Sequence, residues 1–162
     1  MAPLLQGMQE KIAILTIHGI GGIGKTTFAR LIYNDPKFNY YSHVWVHVSQ
    51  RFDFNKIYES IILQLSGKES LANESEMIHS CFKKLLHGKK VLIVLDDLWE
   101  DNQFLLQELK DMLYHDEGNI TILVTTRSER VAERICTNLQ PHKILPLTND
   151  MYWDIIKQRS GF

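Results

Sequence analysis

The chain has 162 residues, 44% hydrophobic and 23% charged, a size and balance that predict one folded domain with its own core. That composition excludes wholesale disorder, collagen and coiled-coil rods. With 18 Lys and Arg against 19 Asp and Glu, the net charge is −1, and nothing predicts a sequence-independent grip on nucleic acid.

In chain order, residues 1–10 read as a lead-in and 11–162 as the folded unit. Lys11–His18 (KIAILTIH) is a short β-branched run of the kind a buried parallel strand shows. Glycines end it, and Lys25–Tyr33 follows with helical apolar spacing. His43–Ser49 predicts a second strand. Phe54, Ile57, Tyr58, Ile61, Ile62 and Leu65 recur at helical spacing, with Asp53 as N-cap. Gly67–Asn73 reads as a polar linker.

Asn73 and Glu76 then stand at capping-box spacing before an apolar stripe that runs to Leu86 and is closed by Gly88. Lys90–Asp96 predicts a third strand, VLIVL flanked by charge. Asp101 is the expected cap of a helix carrying Phe104, Leu105, Leu109, Met112 and Leu113. Asn119–Thr125 predicts a fourth strand, Ser128–Ile135 a short helix, His142–Leu145 a fifth strand and Thr148–Gln158 a last helix. Strands alternating with helices call for an α/β fold, a parallel sheet covered by helices and joined by right-handed crossovers. Chemistry in such sheets lies beyond the carboxyl ends of the strands.

After the first strand comes Gly19-Ile20-Gly21-Gly22-Ile23-Gly24-Lys25-Thr26-Thr27, which is G-x-x-x-x-G-K-[ST], the phosphate-binding loop. Its glycines let successive N–H groups turn toward an anion, and the following helix adds its N-terminal partial charge. Gly19, Gly21, Gly22, Ile23, Gly24, Lys25, Thr26 and Thr27 are therefore the candidate phosphate-binding residues. Lys25 can reach the β and γ phosphates, and the Thr26 hydroxyl can ligate Mg²⁺.

After the third strand comes Asp96-Asp97. A strand-terminal Asp is the Walker B arrangement, so Asp96 joins Thr26 as a candidate Mg²⁺ ligand. Asp97 stands where a general base could orient an attacking water. It is one methylene shorter than the Glu of many fast P-loop ATPases, which predicts slow hydrolysis. After the fourth strand comes Thr125-Thr126-Arg127, and Arg127 reads either as a sensor of the terminal phosphate or as a solvated residue opening the next helix.

Blander readings fit the remaining features. His18 is a packing or polar filler. Trp45, Trp99 and Trp153 are packing anchors. Cys81 and Cys136, far apart and without CxxC spacing, read as reduced thiols in helices. The run Val91–Leu95 is far too short to cross a membrane, and MAPLLQGMQEK lacks the features of a signal peptide. A cytoplasmic compartment is expected. No N-K-x-D stretch occurs to read guanine.

Taken together, these motifs resemble the NB-ARC domain of plant disease-resistance receptors, signal-transducing P-loop ATPases with numerous domains. GIGGIGKTTFARLIYND is similar to the family's P-loop and first helix, and HVWVHVSQRFDFNKIYESIILQL to the motif that follows. KKVLIVLDDLWE resembles its kinase-2 motif, with Trp99 similar to the coiled-coil class. GNITILVTTRSERVAERI resembles the motif that holds the sensor Arg, and KILPLTNDMYWDIIKQRSGF the one after it.

The resemblance implies a three-layer P-loop NTPase fold with a five-stranded sheet ordered 5-1-4-3-2, which would bring Arg127 near both the P-loop and Asp96. It also implies ADP or ATP with Mg²⁺ as ligands, and a nucleotide-binding subdomain without the ARC subdomains and leucine-rich repeats. In a full-length receptor those domains and other receptor copies would be the partners. The expected function is an adenine-nucleotide switch in defense. Two alternatives stay open: a P-loop ATPase or small-molecule kinase with real turnover, and a nucleotide-independent interaction fragment.

Overall fold

The computed structural model describes residues 12–48, 51–67, 82, 84–113, 119–137 and 139–160. Among these residues there are five strands: β1 (Ile12–His18), β2 (Ser42–His47), β3 (Lys90–Asp96), β4 (Asn119–Thr126) and β5 (His142–Lys143). They form one sheet in the order β2-β3-β4-β1-β5, the order expected from the resemblance read from its other edge, and all pairs are parallel. The helices are α1 (Lys25–Tyr33), α2 (Phe54–Ser66), α3 (Gln103–Leu113), α4 (Glu129–Ile135) and α5 (Asn149–Ser160), and Phe82 and residues 84–86 are also helical.

Alternation along the central strands divides the core in two, because successive side chains leave a strand on opposite faces. Val91, Ile93 and Leu95 of β3 pack with α2, α3, α4 and the helical Phe82 and Leu86. Leu92 and Val94 pack on the other face with Leu15, Ile17, Leu123 and the α1 residues Ala29 and Ile32. Both β3 and β4 are buried along nearly their whole length, which explains their unbroken apolar runs. The result is the three-layer P-loop NTPase architecture.

Local signals account for most element ends. The Asp53 carboxylate accepts from Asn55 and Lys56 N–H at the start of α2, and Gly67 ends that helix at φ 67. Five expectations are corrected. β2 spans Ser42–His47 rather than 43–49, and residues 49 and 50 lie outside the described set. β5 is two residues long, pairing with Ile17 and His18 alone. Asn102, not Asp101, caps α3: its Oδ1 accepts from Phe104 N–H at 2.9 Å. Phe104 is not part of the buried stripe: it shares the polar face of α3 with Glu108 and Asp111 and is 85% exposed, while Leu106, Leu109, Met112 and Leu113 face the core. Cys136 is not within a helix but caps the C-terminus of α4, as a free thiol. The lead-in 1–10, the linker beyond Gly67, the Asn73–Glu76 box and Cys81 lie outside the described residues.

Candidate nucleotide-phosphate site

The loop between β1 and α1 lies at the carboxyl edge of the sheet, flanked by the ends of β3 and β4. β4 sits between β1 and β3, so the residues following these three strands converge although 70 and more positions separate some of them. Gly24 occupies the N-cap of α1 at φ 102, a left-handed conformation that favours glycine, and no side chain caps the helix. The first intrahelical acceptor is the Gly24 carbonyl, taken by Phe28 N–H at 2.8 Å. The amides of the first turn therefore face the loop with no side-chain acceptor, the usual form of an anion-binding helix start. At Gly19 the chain passes close to the segment after β5: a Cβ there would stand 3.0 Å from the Ile144 carbonyl oxygen.

Lys25 is buried and folds back over the loop, donating to the carbonyls of Gly19 at 2.9 Å and Ile20 at 2.8 Å. Among the described residues no carboxylate forms an ion pair with it. Burial pushes its pKa below the usual lysine value, the Arg127 cation pushes the same way, and Asp97 and Asp96 only partly oppose them. Thr26 Oγ1 donates to Asp96 Oδ1 at 2.9 Å. A hydroxyl and a carboxylate are hard oxygen donors suited to Mg²⁺, which commonly takes one or two protein ligands and completes its shell from phosphate and water.

Asp96 is buried at the end of β3. Besides Thr26, it accepts from Thr125 Oγ1 at 2.6 Å, and the exposed His47 Nδ1 lies 3.7 Å from its other oxygen. Thr125 has a second task. Its hydroxyl oxygen accepts from Asp97 N–H at 2.8 Å, and its carbonyl accepts from Leu98 N–H at 2.8 Å. These bonds hold the turn after β3, where Asp97 takes the left-handed φ of 61°. Few residues other than Asp, Asn and Gly adopt that conformation readily.

Arg127 grips Asp97 in two places, Nε to Oδ1 at 3.3 Å and Nη2 to Oδ2 at 3.2 Å. Its guanidinium carbon lies 4.5 Å from the centre of the Trp99 ring, and a Cβ on Gly21 would lie 3.4 Å from its Nη1. The phosphate loop, Thr26, Asp96, Asp97 and Arg127 thus form one group, with Ile23 half-buried and Thr27 exposed beside it. Arg127 keeps 48% of its side chain exposed while it pairs with Asp97 beside the loop.

Sequence reasoning missed three neighbours of this group. Thr125 was passed over beside Arg127, although a hydroxyl at the end of an apolar strand was its signal. Trp99 was assigned to packing but is 40% exposed and faces Arg127. His47 had no signal, because its approach to Asp96 depends on the β2–β3 register. Of the other tryptophans, Trp45 packs edge-on against Tyr33 as expected, while Trp153 is 61% exposed rather than a buried anchor.

His18, at the end of β1, is buried as the filler reading requires. Burial lowers its pKa from the usual histidine value, and the Lys143 and His142 charges add to that against Glu129 and Glu133. A histidine with a lowered folded pKa contributes stability above its unfolded value, about 6.5, and loses it as pH falls toward the folded value. Urea unfolding between pH 7.5 and 5 should therefore show a steeper loss in the wild type than in His18→Gln. Parallel curves would assign the acid sensitivity elsewhere.

A glycine loop at a helix start, a buried lysine and a strand-terminal aspartate on a parallel sheet define a P-loop NTPase-type site. The NB-ARC domain model matches residues 2–161, and the chain belongs to that family. It is 31% identical over 154 residues to disease resistance protein RGA2 of Solanum bulbocastanum, covering 93% of this chain and 16% of that protein. It is 35% identical over 153 residues to a putative disease resistance RPP13-like protein 1 of Arabidopsis thaliana, covering 92% and 14%. The chain thus spans about a sixth of the length of these curated relatives.

Among solved structures, Cdc6p of Pyrobaculum aerophilum superposes with a TM-score of 0.74 at 19% identity, over 98% of this chain and 47% of that one. A signal transduction ATPase with numerous domains, PH0952 of Pyrococcus horikoshii, gives 0.59 at 19% identity, over 99% and 25%. At such identities the agreement is one of fold. No helix among the described residues is long and apolar enough to cross a membrane.

Proposed function

We propose that this chain is the nucleotide-binding part of a plant disease-resistance receptor and acts as an ADP/ATP switch. One observation carries the reading: a buried ammonium, Lys25, and a guanidinium, Arg127, converge on a glycine loop and an uncapped helix start, an arrangement that phosphate groups complement. In this reading the P-loop N–H groups and Lys25 hold the phosphates and Arg127 meets the terminal one. Thr26 and Asp96 would hold Mg²⁺, which supplies charge neutralisation at the phosphates.

Asp97 is the base, and a poor one, because both its oxygens accept from Arg127. Slow turnover makes the terminal phosphate a ligand that shifts a conformational equilibrium rather than a substrate consumed at speed. Adenine as the base, a cytoplasmic setting, and partners in ARC domains, leucine-rich repeats and other receptor copies rest on membership of the family and on the relatives named disease resistance proteins.

Thermal unfolding with Mg-ADP, Mg-ATP and Mg-GTP tests the proposal. A ligand at a hundred times its Kd adds about 2.7 kcal/mol to the folded state. For a domain of this size that raises Tm by roughly 5–10 °C. The adenine nucleotides should give that shift and GTP a smaller one. An unmoved Tm with all three overturns the proposal.

A further inference from the structure

The contacts of Arg127 single out a residue outside the phosphate- and Mg²⁺-binding positions read from the sequence. Trp99 follows the turn of Asp97 and exposes part of its ring, over which the guanidinium carbon of Arg127 lies at 4.5 Å. In the plane of the guanidinium, Nε and Nη2 are committed to the two oxygens of Asp97. The remaining nitrogen, Nη1, is the one directed at the P-loop, within 3.4 Å of a Cβ position on Gly21. The group is therefore oriented on two sides, its face by an indole and one edge by a carboxylate, and the orientation aims its third nitrogen at the loop.

We propose that Trp99 is a positioning residue that sets the preference of this site for a nucleoside triphosphate over a diphosphate, acting through Arg127. The inference rests on the nucleotide-binding reading above. An arginine side chain half exposed to solvent samples many rotamers, and each one lost on meeting a phosphate weakens binding. Stacking on the indole ring reduces that freedom beforehand, and Asp97 supplies the in-plane constraint. Lys25, by contrast, is fixed by loop carbonyls and serves both nucleotides. Trp99 should therefore influence only contacts to the phosphate that Arg127 reaches. A ring is needed rather than an indole as such, so phenylalanine should keep most of the effect.

The test is the ratio of Mg-ATP to Mg-ADP affinity, measured by titration calorimetry on the wild type, Trp99→Ala, Trp99→Phe, Arg127→Ala and the Trp99→Ala/Arg127→Ala double variant. Trp99→Ala is expected to lower Mg-ATP affinity about three- to tenfold with Mg-ADP affinity unchanged. Trp99→Phe should restore most of the ratio. In the double variant the ratio should be no lower than in Arg127→Ala alone, because Trp99 acts through that side chain. Intrinsic fluorescence gives a second readout: the emission change on adding Mg-ATP should vanish in Trp99→Phe, although Trp45 and Trp153 remain.

An unchanged ratio in Trp99→Ala, or losses that add in the double variant, overturns the assignment while leaving the nucleotide-binding reading intact. Equal losses for both nucleotides would make Trp99 a structural residue and overturn it too. A wild type that binds neither nucleotide fails both readings at once.

Discussion

Lys25→Met is expected to leave the nucleotide-free protein within about 1 kcal/mol of the wild type, while nucleotide affinity falls at least about 100-fold. Two opposed terms lie behind the small first effect. The ammonium donates to the Gly19 and Ile20 carbonyls, and those bonds are lost. Burial and the nearby Arg127 both disfavour its charge, as its lowered pKa shows, and that penalty is lost as well. Ile20 is exposed and Gly19 half-buried, so water can replace the missing donor at both carbonyls. Methionine fills most of the volume without a charge.

The second effect has no such compensation. A charge-assisted bond to a phosphate contributes about 1.5–3 kcal/mol, and Lys25 is in a position to make more than one. Thermal unfolding separates the two. A Mg-ADP concentration that adds about 2.7 kcal/mol to the wild type should add about 0.4 kcal/mol or less to a variant whose Kd is 100-fold weaker. Equal nucleotide shifts in both proteins would remove Lys25 from the phosphate site. A large loss of stability without nucleotide would show that the lysine is mainly structural.

Thr125→Val should destabilise the fold by about 1–3 kcal/mol, the cost of removing one of two hydroxyl donors to the buried Asp96 carboxylate and the acceptor of Asp97 N–H. The shape of the side chain is conserved, so packing on β4 is preserved and the loss reports the hydroxyl. The Asp96 carboxylate would keep the Thr26 bond but lose the 2.6 Å bond from Thr125. Asp97 N–H would lose its acceptor at the residue whose backbone already holds the left-handed conformation. Urea unfolding should show a lower midpoint with an unchanged slope, and Thr125→Ser should recover most of the loss. A valine variant as stable as the wild type would mean that water takes over both bonds. Because Asp96 and Asp97 both hang on this hydroxyl, the valine variant should also bind Mg-nucleotide more weakly than its stability alone explains.

Much of this site was legible before the structure was known, and the legible part is local. G-x-x-x-x-G-K-T follows from what a tight turn, a helix start and a phosphate require of neighbouring residues. The unbroken runs of β3 and β4 show strands buried on both faces, and Asp53 ahead of Phe54 is a cap whose partners lie two and three residues away. The cap of α3 falls one residue later than the Asp101 expected from the sequence, because it is Asn102 whose side chain reaches Phe104 N–H. The face of α3 that meets the core is set by its apolar stripe, Leu106, Leu109, Met112 and Leu113.

The grouping around Arg127 has a different origin. Thr125 reaches Asp96 across 29 positions and Arg127 reaches Asp97 across 30, contacts created by the side-by-side pairing of β3 and β4. Thr26 meets Asp96 across 70 positions because β4 alone separates their strands. The chain's periodicity says that strands exist and how deeply they are buried, but every parallel order buries such strands equally well. Strand order came from the family resemblance, and the register that seats Trp99 and Asp97 around one guanidinium, with Thr125 holding the backbone of Asp97, comes from packing between distant segments, which leaves no trace in spacing along the chain.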